Sequence, residues 1–383
     1  MPLALGVLGW SRKPAEHRVA LHPRQLERIP DALRRTLSFE VGYGERFGCS
    51  DTDLVATGVA VLPREELIAK ADVLILPKPL LADLEAMHEG QVLWGWPHCG
   101  QDTPLTQVAI DRRLTLIAWE AMNHWSQDGA FELHVFHKNN ELAGYASVTH
   151  ALQLVGRTGH YGRPLRAAVI SFGATARGAV RALGAAGVSD VTVLTQRDIA
   201  AVAAPFAAMR LVGFERDGAT AGRARALTAG GSRPLADELA EHDVIVNCVL
   251  QDTDQPLMLI SERELAALRP GTLVVDVSID PGMGFAWARA TSFAEPLVHV
   301  GDRVAYYAVD HSPSLLWDSA SWEIGEALLG HLATVAAGPA AWAADPTIDR
   351  AVEIQDGVVR NPRILSFQAR APDYPHARSD TGD

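Results

Sequence analysis

Short, nearly unbroken apolar runs alternate with amphipathic stretches along most of this chain. "LALGVLGW" reads as a buried strand, and "EHRVALHPRQLERI" as a loop feeding a helix that begins near Pro23. "LSFEVGYG" predicts a second strand, and "REELIAKADVLILPKP" a helix and then a strand halted by Pro77 and Pro79. "QVLWGWPH" and "LTLIAWEAM" continue the alternation, so the first ~140 residues read as one open α/β unit. A helix over Glu141 to Arg157 is expected to bridge into a second unit.

From Leu165 the pattern is stricter. "RAAVISF" predicts a strand, "ATARGAVRALGAAG" a helix, and "DVTVLTQ" a strand that ends in polar residues. "DVIVNCVL" and "TLVVDVSI" are continuous apolar strands, as in a parallel sheet covered on both faces. Between them "ISERELAALRPG" predicts a helix stopped by Pro270 and Gly271. This is the layout of a doubly wound domain. Beyond residue 310, "SLLWDSASWEIGEALLGHLATVAAG" predicts one or two helices, and "AVEIQDGVVRN" a hairpin about Asp356-Gly357. The polar, proline-rich stretch from Ala371 is expected to be disordered.

Composition narrows the classes. With 383 residues, 48% of them hydrophobic and 21% charged, the chain has the makeup of a globular protein with large cores. A net charge of -12 argues against nucleic acid or an anionic membrane as the main partner. Cys49, Cys99 and Cys248 are far apart with no CxxC spacing, which suggests neither a disulfide framework nor a metal site and points to a reducing compartment. The apolar run at the start is too short for a signal segment or a membrane span. A cytoplasmic protein acting on small molecules is the expectation.

The stretch "SFGATA", Ser171 to Ala176, resembles a dinucleotide-binding turn with one glycine missing. Gly173 stands where the backbone must approach a pyrophosphate, with Ala174 and Thr175 opening the helix and Ala176 in the strand-helix packing position. Ser171 is the departure, because a Cβ restricts the bend. An ordinary strand-turn-helix is the competing interpretation. About 20 residues on, Thr195 and Gln196 occupy the position of the usual ribose-binding carboxylate, and Arg197 follows. No carboxylate there repels a 2'-phosphate and a guanidinium can pair with one, so NADP(H) is favoured over NAD(H). Asp198 lies just beyond and could face the ribose instead.

Four further residues suit chemistry on a keto acid. Arg18 follows the first strand, where a guanidinium can clamp a carboxylate. Lys78, between two prolines at a strand end, is either a solvated cap or a polariser of a carbonyl oxygen. His98 in "LWGWPHCGQD" is either a structural histidine or a proton carrier. Asp280 in "VVDVSIDPGMG" follows a strand at the carboxyl edge, where ligands of such sheets bind.

Taken together these residues resemble the alanine dehydrogenase superfamily, which includes transhydrogenase domain I and saccharopine dehydrogenases. Within it the chain is particularly similar to the N5-(carboxyethyl)ornithine synthases. The strings "GWPHCGQD", "FHKNNELAGYASVTHAL", "GATARGA", "DVIVNCVLQDT" and "VDHSPSLLW" carry the likeness over residues 3 to 335. The resemblance implies two Rossmann-like doubly wound domains with an interdomain cleft: a discontinuous substrate domain, 1–140 plus 311–370, and a nucleotide domain, 141–310, inserted between its parts. It implies His98, Lys78 and Asp280 as catalytic groups, Arg18 as the keto-acid clamp, and NADPH as reductant. Asn140, Val249 and Leu250 are implied to complete the cofactor site, and Asp310 and His311 to recognise a second amino acid. It also implies a homo-oligomer. The expected reaction is reductive condensation of a keto acid with an amino-acid amine. Alanine or saccharopine dehydrogenase chemistry and a non-catalytic nucleotide-binding protein are the alternatives.

Overall fold

The computed structural model describes residues 2–197, 209–218, 222–252 and 255–378. The chain divides into two compact units, Met1–His137 with Trp317–Asp383, and Lys138–Leu316. The first unit opens with strands β1 (Leu5–Val7), β2 (Leu37–Glu40), β3 (Ala60–Leu62), β4 (Val73–Leu76), β5 (Val92–Gly95) and β6 (Thr115–Ala118), all parallel. Strand β1 pairs with β2 on one side and β4 on the other, Leu5 lying between Leu37 and Val73. Alternate residues of β4 face opposite cores: Val73 and Ile75 join Trp94 and Trp119, whereas Leu74 and Leu76 join Leu67 and Leu116. Burial on both faces is why these strands read as unbroken apolar runs. A small antiparallel hairpin, β7 (Asn123–Trp125) and β8 (Phe131–His134), follows.

The second unit begins with helix α1 (His137–Leu154). It starts earlier and stops sooner than the expected Glu141–Arg157, because Gly156 takes a φ of +63° just beyond its end. Strands β9 (Arg166–Ile170) and β10 (Asp190–Thr195) flank helix α2 (Ala174–Ala185) in sequence. The chain then adds β11 (Met209–Arg216), β12 (Ala224–Thr228) and β13 (Gly231–Pro234), the last two antiparallel extensions at one sheet edge. Parallel β14 (Val244–Asn247) and β16 (Thr272–Asp276) continue the sheet on the other side of β9, with a side pair of β15 (Met258–Ile260) and β17 (Gly284–Phe285). The expected helix after Ser261 is a short 3-10 helix, Glu262–Ala267. Strands β18 (Leu297–Val300) and β19 (Val304–Tyr307) close a nine-stranded sheet. Ala167 and Val169 face one core, Ala168 and Ile170 the other.

The chain returns to the first unit with helix α3 (Trp317–Leu329). Strand β20 (Val352–Gln355) pairs antiparallel with β6, and β21 (Val358–Val359) completes the hairpin turned by Asp356 and Gly357. This makes an eight-stranded sheet in the order β21-β20-β6-β5-β4-β1-β2-β3. The structure corrects the disorder expected from Ala371. His376 is buried and its Nε2 accepts the Val359 N–H at 3.0 Å, and Arg370 and Arg378 bridge as a short antiparallel pair. A satisfied edge strand is what holds residues 371–378; the last five residues lie outside those described. The segment from Asp310 to Leu316, expected in part with the first domain, belongs to the second unit. Ser312 fixes it there, accepting from Ser147 Oγ at 2.7 Å and donating to the Ala143 carbonyl at 3.1 Å. No helix among the described residues is long and apolar enough to cross a membrane.

Candidate active site

Both sheets reverse their strand order at one point, between β1 and β4 in the first unit and between β9 and β14 in the second. Ligands of open α/β sheets bind beyond the carboxyl ends of the strands at such a reversal. Arg18 and Lys78 follow β1 and β4, and His98 follows the neighbouring β5.

The first unit brings Lys78 and His98 into contact, with Nζ 2.6 Å from Nε2. Two nitrogens this close share one proton, so the pair cannot carry two positive charges at that distance without losing the bond. Ser11 Oγ donates to the Lys78 carbonyl at 2.5 Å, fixing the segment between Pro77 and Pro79. His98 has a φ of +49°, and its backbone N–H donates to Glu120 Oε1 at 2.7 Å. The same oxygen stands 3.7 Å from Nδ1, near enough to stabilise a charged ring but too far for a hydrogen bond.

Glu120 is itself perturbed. Burial and the neighbouring Glu353 push its carboxyl upward, and its Oε2 is buried with no hydrogen-bond partner among the described residues. Glu353 sits at the register break of β20 and is also pushed upward by burial, although Asn361 Nδ2 donates to it at 3.0 Å. Two carboxyl groups that disfavour each other's charge in this way favour at least one of them being protonated. Burial and Glu353 also push the Cys99 thiol far upward, so it is no nucleophile at neutral pH.

Arg18 is buried, and Glu16 binds it through Nε at 2.8 Å and Nη2 at 2.5 Å. Its guanidinium lies 5.2 Å from the Trp96 ring centroid, and Trp96 packs edge-on against Trp119 at 4.8 Å. Ion pair and aromatic wall together fix the plane of the Arg18 guanidinium.

In the second unit, Ser171 adopts a φ of +82°, the bend for which the fingerprint uses glycine, and its N–H donates to the Leu194 carbonyl at 2.7 Å. Gly173 caps α2 without a side-chain acceptor, and a Cβ built on it meets nothing within 4 Å. The N-terminus of α2 is thus led by a residue with room beside it, as the cradle for an anionic pyrophosphate requires. Ala174 and Thr175 open α2, and Ala176 is fully buried beneath them. Gly178 lets the two helices cross closely, since a Cβ there would lie 1.8 Å from the Glu141 carbonyl oxygen. These features fit a dinucleotide. When bound, a nicotinamide cofactor supplies a hydride.

Thr195 is buried at the end of β10 and accepts the Arg197 N–H at 3.1 Å, while Gln196 and Arg197 are exposed. Asp198 lies outside the described residues. Asn140 is half-buried on α1, Val249 is buried and Leu250 is 93% exposed beyond β14. Burial pushes Asp280 up to about 6. Asp310 accepts from His311 Nδ1 at 2.7 Å, and the buried His311 ring packs on Phe293.

Sequence reasoning missed a buried network at the carboxyl edge of the second sheet. Asn247 Nδ2 donates to Asp276 Oδ1 at 2.9 Å and the Tyr306 hydroxyl to Oδ2 at 2.7 Å. Burial raises Asp276 to about 7 despite those two bonds. An aspartate inside the apolar run "TLVVDVSI" was the available signal, as was Glu120 directly after "LIAW". Glu353 offered none.

Comparison with known proteins agrees with this layout. The alanine dehydrogenase/PNT N-terminal domain matches residues 10–143, and the C-terminal domain of the same family matches 173–362. The N(5)-(carboxyethyl)ornithine synthase of Clostridium botulinum is 24% identical over 329 residues, covering 83% of this chain and 90% of that protein. The alanine dehydrogenase of Lysinibacillus sphaericus is 28% identical over 316 residues, 79% of each chain. Among solved structures, an L-alanine dehydrogenase superposes with a TM-score of 0.73 at 20% identity, covering 95% of this chain and 98% of that one. With both domain types matched in order and each sheet carrying polar groups at its reversal, the chain belongs to the alanine dehydrogenase/PNT family.

Proposed function

We propose that this protein condenses a keto acid, pyruvate by preference, with the side-chain amine of an amino acid such as ornithine or lysine, and reduces the product with NADPH. The family supports the coarser statement, an oxidoreductase of the amino-acid dehydrogenase type acting on a carbon–nitrogen bond with a nicotinamide cofactor. The observation that carries the finer reading is the 2.6 Å contact between Lys78 Nζ and His98 Nε2.

Arg18 holds the keto-acid carboxylate in this reading. Lys78 polarises the carbonyl oxygen while the amine attacks, giving a carbinolamine. Loss of water then needs a proton delivered to the departing hydroxyl and another removed from nitrogen, and His98 exchanges both with Lys78 beside it. Asp280, raised by burial, assists this exchange. Hydride addition to the resulting imine carbon, with a proton returned to its nitrogen from the Lys78–His98 pair, gives a secondary amine. Asp310 and His311 recognise the second amino acid, and Asn140, Ser171 to Ala176, Thr195, Arg197, Val249 and Leu250 hold NADPH. The absence of a carboxylate at Thr195 favours NADPH over NADH.

The test is a mixture of protein, NADPH and pyruvate with a panel of amines, its products identified by mass. A secondary amine built from pyruvate and ornithine or lysine is the expected product. Alanine formed from ammonia alone would show alanine dehydrogenase activity instead. Consumption of 2-oxoglutarate but not pyruvate would show saccharopine-type chemistry, and NADPH binding with no turnover a regulatory protein.

A further inference from the structure

Next to Arg18 the first unit has a small cavity open to solvent, walled by Trp10, Glu16, Tyr43, Arg46 and Phe47 among others. It lies beyond the carboxyl ends of β1 and β2, on the edge that also carries Lys78 and His98. Arg46 is exposed on a short 3-10 helix, Glu45–Phe47, that follows β2. Its guanidinium carbon is 5.8 Å from the Trp10 ring centroid and 5.6 Å from that of Trp317. Trp317 in turn stands edge-on to Phe47 at 5.1 Å. Among the described residues Arg46 makes these ring contacts and no ion pair.

The cavity's own carboxylate, Glu16, is committed to Arg18 on the opposite side. That leaves a guanidinium facing a cavity with aromatic walls, which is chemistry for a carboxylate on an apolar stem. Two of the cavity's walls are linked to the reacting groups. Trp10 precedes Ser11, which is bonded to the Lys78 carbonyl, and Glu16 grips Arg18.

We propose that this cavity is the carboxylate subsite for the amine co-substrate. Arg46 takes the α-carboxylate of an amino acid whose methylene chain lies along Trp10, Tyr43 and Phe47 and whose terminal amine is the nucleophile. The proposal rests on the reductive-condensation reading and narrows it. Ammonia and simple alkylamines have no group for Arg46, so this residue makes the site selective for amino-acid amines.

The experiment compares ornithine with 1,4-diaminobutane, which has the same chain and no carboxylate, in the wild type and in Arg46→Gln and Arg46→Lys. Loss of a charge-assisted carboxylate contact in Arg46→Gln should raise KM for ornithine about 10-fold or more, leaving KM for diaminobutane and pyruvate within about 2-fold. Arg46→Lys should recover part of the loss. Equal changes for both amines, a change confined to pyruvate, or no change would overturn the subsite. If the wild type condenses no amine, the reductive-condensation reading fails by itself, and calorimetric titration with ornithine decides the subsite. Heat seen with the wild type and lost in Arg46→Gln supports it, whereas equal heat or none overturns it.

Discussion

Glu120 accepts the main-chain N–H of His98 at 2.7 Å and stands 3.7 Å from its ring, so one carboxylate both shapes the His98 turn and influences its charge. His98→Ala should lower turnover by ~10²-fold or more while NADPH affinity holds. Activity that survives while the melting temperature falls would mark His98 as structural. Glu120→Gln separates the two roles, since glutamine keeps the acceptor and removes the charge. Because burial and Glu353 keep Glu120 protonated at low pH, the variant should follow the wild-type pH–rate profile on its acid side. The profiles should part on the alkaline side, where only the wild type gains a carboxylate. Profiles that part at low pH instead would mean Glu120 is ionised throughout.

Ser171 and Gly173 test the turn from opposite directions. A non-glycine residue at a φ of +82° is strained by about 1–2 kcal/mol. Glycine's extra backbone freedom favours the unfolded chain by about 0.4–1 kcal/mol, which opposes this gain, so the strain term wins by a small margin. Ser171→Gly should therefore stabilise the protein by about 0.5–1 kcal/mol in denaturant unfolding. Gly173→Ala meets open space and should leave stability nearly unchanged, while NADPH affinity measured by fluorescence titration falls about 10-fold or more. Unaltered affinity would remove Gly173 from the cofactor cradle.

Arg197 is exposed beside Thr195 at the end of β10. If it pairs with the 2'-phosphate, Arg197→Ala should weaken NADPH binding by about 1–3 kcal/mol and leave NADH binding nearly as it was. Equal losses for both cofactors would rule out that pairing.

Asp276 couples folding to pH. Its folded value of about 7 lies above that of the unfolded chain, so the folded state binds the extra proton. The stability this confers is present below about pH 4 and is lost as pH rises toward 7, by up to ~4 kcal/mol. Urea unfolding at pH 5 and pH 8 should show a larger fall for the wild type than for Asp276→Asn. Equal falls would mean that Asp276 titrates like an exposed aspartate.

Local pattern made most of the strands legible. β4, β9, β14 and β16 are continuous apolar runs because both faces are buried, and Pro77 and Pro79 mark where β4 must stop. Strands β12 and β13, the last two at one end of the sheet, were missed because most of their residues are partly or wholly exposed, which blurs any apolar run. Arg18, Lys78 and His98 stood out because each follows a strand on the carboxyl edge, where ligands of such sheets bind. Glu353 did not, since it meets Glu120 only through the antiparallel return of β20 beside β6, a pairing that no local spacing encodes. His376 was hidden for the same reason: its value lies in a remote unpaired N–H.

The discontinuity of the first unit sets a timetable for the ribosome. The inner unit is contiguous, with its nine-stranded sheet complete by Tyr307, and can close as soon as that stretch emerges. The outer unit cannot, because Ile324 and Leu328 of α3 and Val352 of β20 pack in one core with Leu5, Val7 and Trp94. At translation rates of about 5–20 residues per second, its amino-terminal half waits roughly ten seconds to a minute for that material. Through that interval the flank of β6 later covered by β20 is an open template for pairing with another nascent chain. Chaperone demand during synthesis thus falls on the half that carries Arg18, Lys78 and His98.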